Sequence, residues 1–262
     1  MARILLTNDD GTAAPGLAAF ARALARVGEV AVVVPDRERS WVSKAITRFE
    51  PVTVIEADVN GVTVHACSGF PADCVQLGVH VLFDRPDIVV SGINIGYNHG
   101  SAYLQSSGTV GAALEAGIAG VPALVFSTGS HVVPWREWKQ QVLKPEAMPM
   151  WERLATVAAG MVAAALPVAQ RGDVVNIGLP DDSTDATPRM LTRVAASGYD
   201  RLFAEERPGV YVHAYGGLIH DPAAIEGTDV GAAADGVISL TPVRGAGDVD
   251  INPDLIRILT RA

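Results

Sequence analysis

The chain has 262 residues, 49% hydrophobic and 19% charged, with 26 glycines and 16 prolines, which describes a soluble globular protein of one large domain or one domain with an appendage. Its formal net charge of −9 argues against a nucleic acid polymer or an anionic membrane as the main partner. A small anionic substrate stays open, because a bound metal reverses the local field.

The chain opens on Arg3-Ile4-Leu5-Leu6-Thr7, a short apolar run that reads as a buried strand, followed by Asn8-Asp9-Asp10-Gly11. Two adjacent carboxylates at the end of a buried strand repel each other with little screening. In open α/β sheets ligands bind at such strand ends, so the pair suggests a hard divalent metal. The alternative is a solvated Asp-Gly turn. Next comes a helix over Pro15–Val27, with Leu17, Phe20, Leu24 and Val27 on one face, and a strand over Glu29–Val34. Pro51–Glu56 and Gly61–Ala66 flank Asn60-Gly61, a hairpin signal. Pro71–Phe83 reads as a helix, Asp87–Ser91 as a buried strand, and Gly92–Ser106 as a polar, glycine-rich loop. A helix over Thr109–Ala119 and a strand over Ala123–Ser127 follow. Gly129–Met150, with Trp135 and Trp138 amid prolines, reads as a lid or a surface excursion.

Leu154 to Ala169 is the most lipid-like stretch, but it is shorter than the ~20 residues a membrane span needs and contains Pro167. A core helix over Trp151–Leu166 and a strand over Asp173–Ile177 are expected instead. Strand–helix alternation with short connections predicts an α/β fold: a Rossmann-like, doubly wound, mostly parallel sheet. After about Pro180 the character changes. Val210–Tyr215 and Leu218–His220 alternate around Gly216-Gly217 and read as a hairpin, followed by a short helix over Thr228–Asp235 and a strand over Gly236–Thr241. The expected organisation is a catalytic core over 1–180 and a C-terminal hairpin extension over 181–262.

Three further clusters fall where such a sheet would bring them beside Asp9 and Asp10. Pro35-Asp36-Arg37-Glu38-Arg39-Ser40 offers a hydroxyl for an oxygen-rich metal shell and arginines for anions, or is a plain charged loop. Ser91-Gly92-Ile93-Asn94-Ile95-Gly96-Tyr97-Asn98-His99-Gly100 offers neutral oxygens and close backbone approach, or is a tight loop. Ser106-Ser107-Gly108-Thr109-Val110-Gly111 leads into a helix whose N-terminus makes an anion site, or is simple capping by Ser107 or Thr109. Together they describe a metal-assisted phosphate site.

These segments, with Pro71-Ala72-Asp73-Cys74-Val75 and Gly227-Thr228-Asp229, stand in the order of the SurE (survival protein E) family of metal-dependent nucleotidases and acid phosphatases, which the chain resembles from residue 3 to about 242. The resemblance implies a phosphomonoesterase acting mainly on nucleoside monophosphates, with one Mg²⁺ or Mn²⁺ ion per subunit. It implies metal ligands Asp9, Asp10, Ser40 and Asn94, and a phosphate held by Ser107, Gly108 and Thr109 with Asn98 nearby. It also implies a homodimer or homotetramer built through the C-terminal arm. Asp9, Asp10, Asn98 and Ser107 are then the catalytic group, and a small phosphate ester is the partner. The family usually has a glycine after the serine at position 40 and a tyrosine before that at 107. Here these are Trp41 and Ser106. Trp41 either stacks on a flat group or narrows the pocket.

Two other readings compete with this one. A haloacid-dehalogenase-like phosphatase would put its nucleophilic carboxylate at Asn8, and an amide cannot form the aspartyl-phosphate. A nucleotide-binding module without turnover fits the motifs as binding elements. His65 and His80 read as packed residues, His99 as a neighbour of the site, and His213 and His220 as parts of the arm. Cys67 and Cys74 match no zinc spacing and are expected as free, buried thiols in a reduced compartment. With the first strand starting at residue 3, no signal peptide is read and a cytoplasmic location is expected.

Overall fold

The computed structural model describes residues 1–214 and 217–245. Its elements run β1 (Arg3–Thr7), α1 (Leu17–Leu24), β2 (Glu29–Pro35), β3 (Val54–Val59), β4 (Val62–Cys67), α2 (Pro71–Leu77), β5 (Ile88–Ile95), α3 (Gly100–Ser106), α4 (Gly108–Ile118), β6 (Ala123–Gly129), α5 (Trp135–Val142), α6 (Met148–Ala165) and β7 (Val174–Pro180). They continue with β8 (Arg189–Leu191), β9 (Ser197–Gly198), β10 (Phe203–Arg207), β11 (Val210–His213), β12 (Ile219–His220), α7 (Asp229–Ala234) and β13 (Ile238–Pro242). Among the described residues, nine strands form one sheet in the order β3-β4-β2-β1-β5-β6-β7-β13-β8. The six from β4 to β7 run parallel, while β3 and β13 pair antiparallel at either side.

Strand β1 lies at the centre because its residues are apolar on both faces. Ile4 and Leu6 pack with Phe20 and Leu24 of α1 and Trp151 and Leu154 of α6. Leu5 faces the other way, with Val75 of α2 and Val110 of α4. The chain moves outward from β1 through β2 to β4, then returns to the opposite side of β1 with β5. The order therefore reverses between β1 and β5, and a crevice opens at their carboxyl ends. Asp9 and Asp10 follow β1, and Asn94 closes β5.

Several expectations are corrected. The segment read as a loop after Ser91 continues as strand to Ile95 and then forms α3. The β5–β6 register slips between Ser91 and Asn94. Gly92 sits there at φ 130°, where a Cβ would collide with the Phe126 carbonyl oxygen. A bulge next to a site re-aims the residues beyond it, here Asn94. The helix read to Phe83 is α-helical only to Leu77 and ends in a wider turn over Gly78–Leu82, which leaves His80 exposed. Gly129–Met150 is a largely exposed segment that carries α5, buries Trp138 against the core and leads into α6, where Trp151 is buried too.

The C-terminal hairpin exists with different pairing. Val210–His213 pairs with Phe203–Arg207 across Pro208-Gly209, and Ile219–His220 pairs with Ser197–Gly198. Tyr215 and Gly216 of the expected hairpin, and residues 246–262 of the extension, lie outside the described residues. The hairpin at Asn60-Gly61 is as expected, with both residues left-handed at φ 51° and 80°. Cys67 and Cys74 are free and buried. No helix among the described residues is long and apolar enough to cross a membrane.

Candidate metal and phosphate site

The turn after β1 is shaped by Asn8. Its amide accepts from Gly11 N at 3.0 Å and donates to Gly11 O at 3.1 Å, so Asn8 staples the turn. Gly11 is left-handed at φ 80°, and a Cβ there would strike the Arg37 backbone. That contact brings the loop after β2 alongside. Thr12 N donates to Pro35 O at 3.2 Å and Arg39 N to Asp9 O at 2.7 Å. The same loop is tied to the end of α3 by Ser43 N to Ser106 O at 2.9 Å and to α4 by Lys44 Nζ to Glu115 at 2.5 Å. Ser40 is therefore carried to the carboxylates by loop–loop hydrogen bonds.

Asp9 is only 3% exposed. Burial pushes its carboxyl up to about 6, opposed by the Thr109 hydroxyl, which donates to Oδ1, and by the Thr109 and Gly108 backbone N–H groups. Asp10 is raised well above the usual carboxylate range, first by burial, then by the charge of Asp9, with Glu38 adding to it; Ile95 N donates to its Oδ2 at 3.2 Å. Two adjacent desolvated carboxylates, one raised further by the charge of the other, are the electrostatic mark of a cation site. Nδ2 of Asn94 donates to Gly96 O at 2.6 Å and Asn98 Oδ1 at 3.2 Å, which leaves Oδ1 as the atom able to ligate a cation. Ser40 Oγ donates to Glu38 at 2.7 Å and keeps its lone pairs. The donor set is all oxygen, as Mg²⁺ and Mn²⁺ require.

Asp9, Asp10, Ser40, Asn94, Asn98 and Ser107 line one cavity of about 1020 Å³. Asn98 is 5% exposed and fixed through its backbone, with N donating to Ser127 Oγ and O accepting from Asn176 Nδ2 at 2.7 Å. Its own Nδ2 is buried without a partner. An orphaned donor of this kind costs about 1–3 kcal/mol unless a ligand completes it, and an anion in the cavity would do so. Ser107 caps α4, accepting from Val110 N at 3.1 Å, and presents the helix N-terminus. Gly108 and Thr109 are placed differently from expectation. They stand behind Asp9 and do not border the cavity: a Cβ on Gly108 would press on Asp9, and the Thr109 hydroxyl is engaged by it.

The model of the family described as survival protein SurE matches residues 4–201. The chain belongs to the SurE family. A protein of Methanopyrus kandleri named 5′-nucleotidase SurE is 38% identical, over 99% of this chain and 98% of the relative. One of the same name from Methanocella arvoryzae is 35% identical, over 92% and 91%. The crystal structure of the SurE protein from Aquifex aeolicus matches with a TM-score of 0.73 and 30% identity over 98% of both chains.

The structure adds residues to this SurE site that the sequence reading missed. Glu38 borders the cavity beside Asp10. Arg136 and Lys139 of α5 supply cationic side chains at its wall. His131, Asp181 and Asp182, beyond the ends of β6 and β7, hold ligand atoms within 4.8 Å of one another, although Asp181 already accepts from Trp138 Nε1 at 2.7 Å. The signal for this group was its position after two strand ends, visible only once the sheet order is known. His213 and His220, assigned by sequence to an arm, border this chain's own cavity.

Proposed function

We propose that the chain is a phosphoric monoester hydrolase of the 5′-nucleotidase type, releasing phosphate from nucleoside monophosphates. The observation that carries this reading is the shared cavity of the Asp9–Asp10 pair and the unpartnered Asn98 amide: a cation seat and an anion donor side by side. The names of the relatives from Methanopyrus kandleri and Methanocella arvoryzae support the nucleotide substrate.

Asp9, Asp10, Asn94 and Ser40 would hold one divalent ion, Mg²⁺ or Mn²⁺. When bound, it supplies Lewis-acid polarisation of the phosphoryl group and a water made a better nucleophile. The chain's own groups do the rest. Asn98 Nδ2 and Ser107 Oγ bind phosphoryl oxygens. Thr109 and Gly108 are positioning residues that hold the Asp9 carboxylate in its ionised form. Water is the nucleophile of this reading, since the metal would activate it without a protein nucleophile.

Residues 1–180 would form the catalytic core and 181–262 the extension. The exposed Phe203 and Tyr211 on the β10–β11 hairpin support the proposal that this arm assembles copies of the chain into a dimer or tetramer. The cytoplasm is the proposed compartment, in keeping with two free thiols.

The test is phosphate release from nucleoside 5′- and 3′-monophosphates and from base-free esters, with Mg²⁺, with Mn²⁺ and with chelator. Release that needs metal and favours nucleotides is expected. Preference for a base-free ester would indicate a specialised phosphatase. No release from any ester, with metal bound, would leave a nucleotide-binding module.

A further inference from the structure

The cavity is far larger than a metal ion and a phosphate need, and its volume of about 1020 Å³ is at the upper end for small-molecule sites. Away from the carboxylates its wall is built from flat rings, among them Trp41, Tyr103 and His213. Trp41 is the member whose presence the core does not explain. Its side of the loop is open enough that the residue is 37% exposed, so burial does not account for the indole. Its backbone is left-handed at φ 62°, a conformation that is unfavourable for a bulky residue and natural to glycine. Residues kept in such conformations cluster at ligand-binding sites.

The position of the ring is fixed from both sides. Arg39 N is bonded to Asp9 O at 2.7 Å and Ser43 N to Ser106 O at 2.9 Å, so the loop between them spans the carboxylates and the approach to α4. Trp41 directly follows Ser40. Its ring centroid lies 6.0 Å from Tyr103 at an interplanar angle of 81°, 5.1 Å from His213 at 65° and 5.6 Å from Tyr199 at 54°. These steep contacts hold the indole plane at the cavity wall, one residue from the proposed metal ligand.

We infer that Trp41 is the specificity-determining residue of the site: its indole, set by Tyr103 and His213, takes the nucleobase of a nucleoside monophosphate and selects it over base-free sugar phosphates. The inference rests on the phosphomonoesterase reading of the same cavity. A flat, polarisable base gains by stacking on an aromatic side chain, whereas ribose and glycerol offer no ring.

Trp41→Gly removes the indole and suits the left-handed backbone, so the variant folds. Trp41→Phe keeps a ring. In the presence of Mn²⁺, the ratio of kcat/KM for adenosine 5′-monophosphate to that for ribose 5-phosphate is expected to fall about tenfold in Trp41→Gly and to recover most of the loss in Trp41→Phe. A ratio that holds within about twofold in Trp41→Gly overturns the inference, and so does a rise. If the unmodified protein hydrolyses neither ester, the phosphatase reading fails on its own, and adenosine binding by calorimetry decides the base site. A dissociation constant weakened about tenfold in Trp41→Gly upholds it. An unchanged constant, or no adenosine binding to the unmodified protein, overturns it.

Discussion

The two ends of the cavity are built by different means. The acidic end consists of residues close in sequence to buried strands: Asp9 and Asp10 directly after β1, Asn94 at the tip of β5, Ser40 five residues after β2. Short loops stapled by Asn8 and zipped to one another by backbone hydrogen bonds leave these groups little freedom. The aromatic end draws on the loop after β2, on α3 and on the C-terminal arm, segments distant from one another in sequence. Its Tyr97, His99 and Tyr103 rings are stacked, at 5.0 Å and 16° and at 6.1 Å and 7°, and His213 of the arm meets Trp41. An end set by strand register concerns the chemistry every substrate shares. An end assembled from loops can change with substrate without disturbing the sheet.

The sharpest break in this comparison is Asp9→Asn. It removes a charge from a buried, mutually repelling pair, so apo-protein stability is expected to hold or rise. Phosphate release should fall more than about a hundredfold, since even the outer partners of metal ligands matter tenfold to a hundredfold. The thermal stabilisation given by added Mn²⁺ should disappear with it. Calorimetric metal titration and a melting curve read both effects. Retained metal stabilisation would remove Asp9 from the site.

A smaller effect is expected at the aromatic end. Burial, with His220 nearby adding repulsion, pushes His99 down to about 4 from the usual 6.5. The native ring therefore stays neutral while the unfolded chain protonates. Its contribution to stability is complete above about pH 6.5 and is lost as pH falls towards 4. After discounting for its partly open position, the loss is roughly 2 kcal/mol. His99→Phe keeps the stack with Tyr97 and Tyr103 and should flatten urea-denaturation stability across that window relative to the parent. Equal pH slopes in the two proteins would refute it.

The smallest effect on the single chain is expected on the arm. Phe203 is 60% exposed, so Phe203→Ser should change the stability of one chain by less than about 0.5 kcal/mol. It should nevertheless weaken self-association measurably by light scattering, as truncating an interface anchor does. Unchanged association would take the arm out of the interface.

The legibility of the sequence follows the same division. Strand β1, the Asn60-Gly61 hairpin and α4 were readable because periodicity, a left-handed turn pair and a serine cap act within a few residues. The pairing of the arm was not. Pro208-Gly209 and Gly216-Gly217 are both good turn signals within ten residues, and local chemistry does not choose between them. Helix α3 was hidden by the glycines around it, since Gly96 and Gly100 read as loop until Asp229 is seen accepting from Gly100 N at 2.9 Å. Glu38 looked like one charge in a solvated loop, and only its placement beside Asp10 gives it meaning.

What the sequence determined by itself was the sheet class and the family, because these follow from apolar spacing and from motifs of groups adjacent along the chain. What the tertiary structure decided was the use of each group: Thr109 behind Asp9, Asn98 left with an unpartnered donor, Trp41 held against Tyr103 and His213. Those roles depend on desolvation and on contacts between distant segments. Burial and partnership arise only when the strands have taken their order and the loops have closed over their ends.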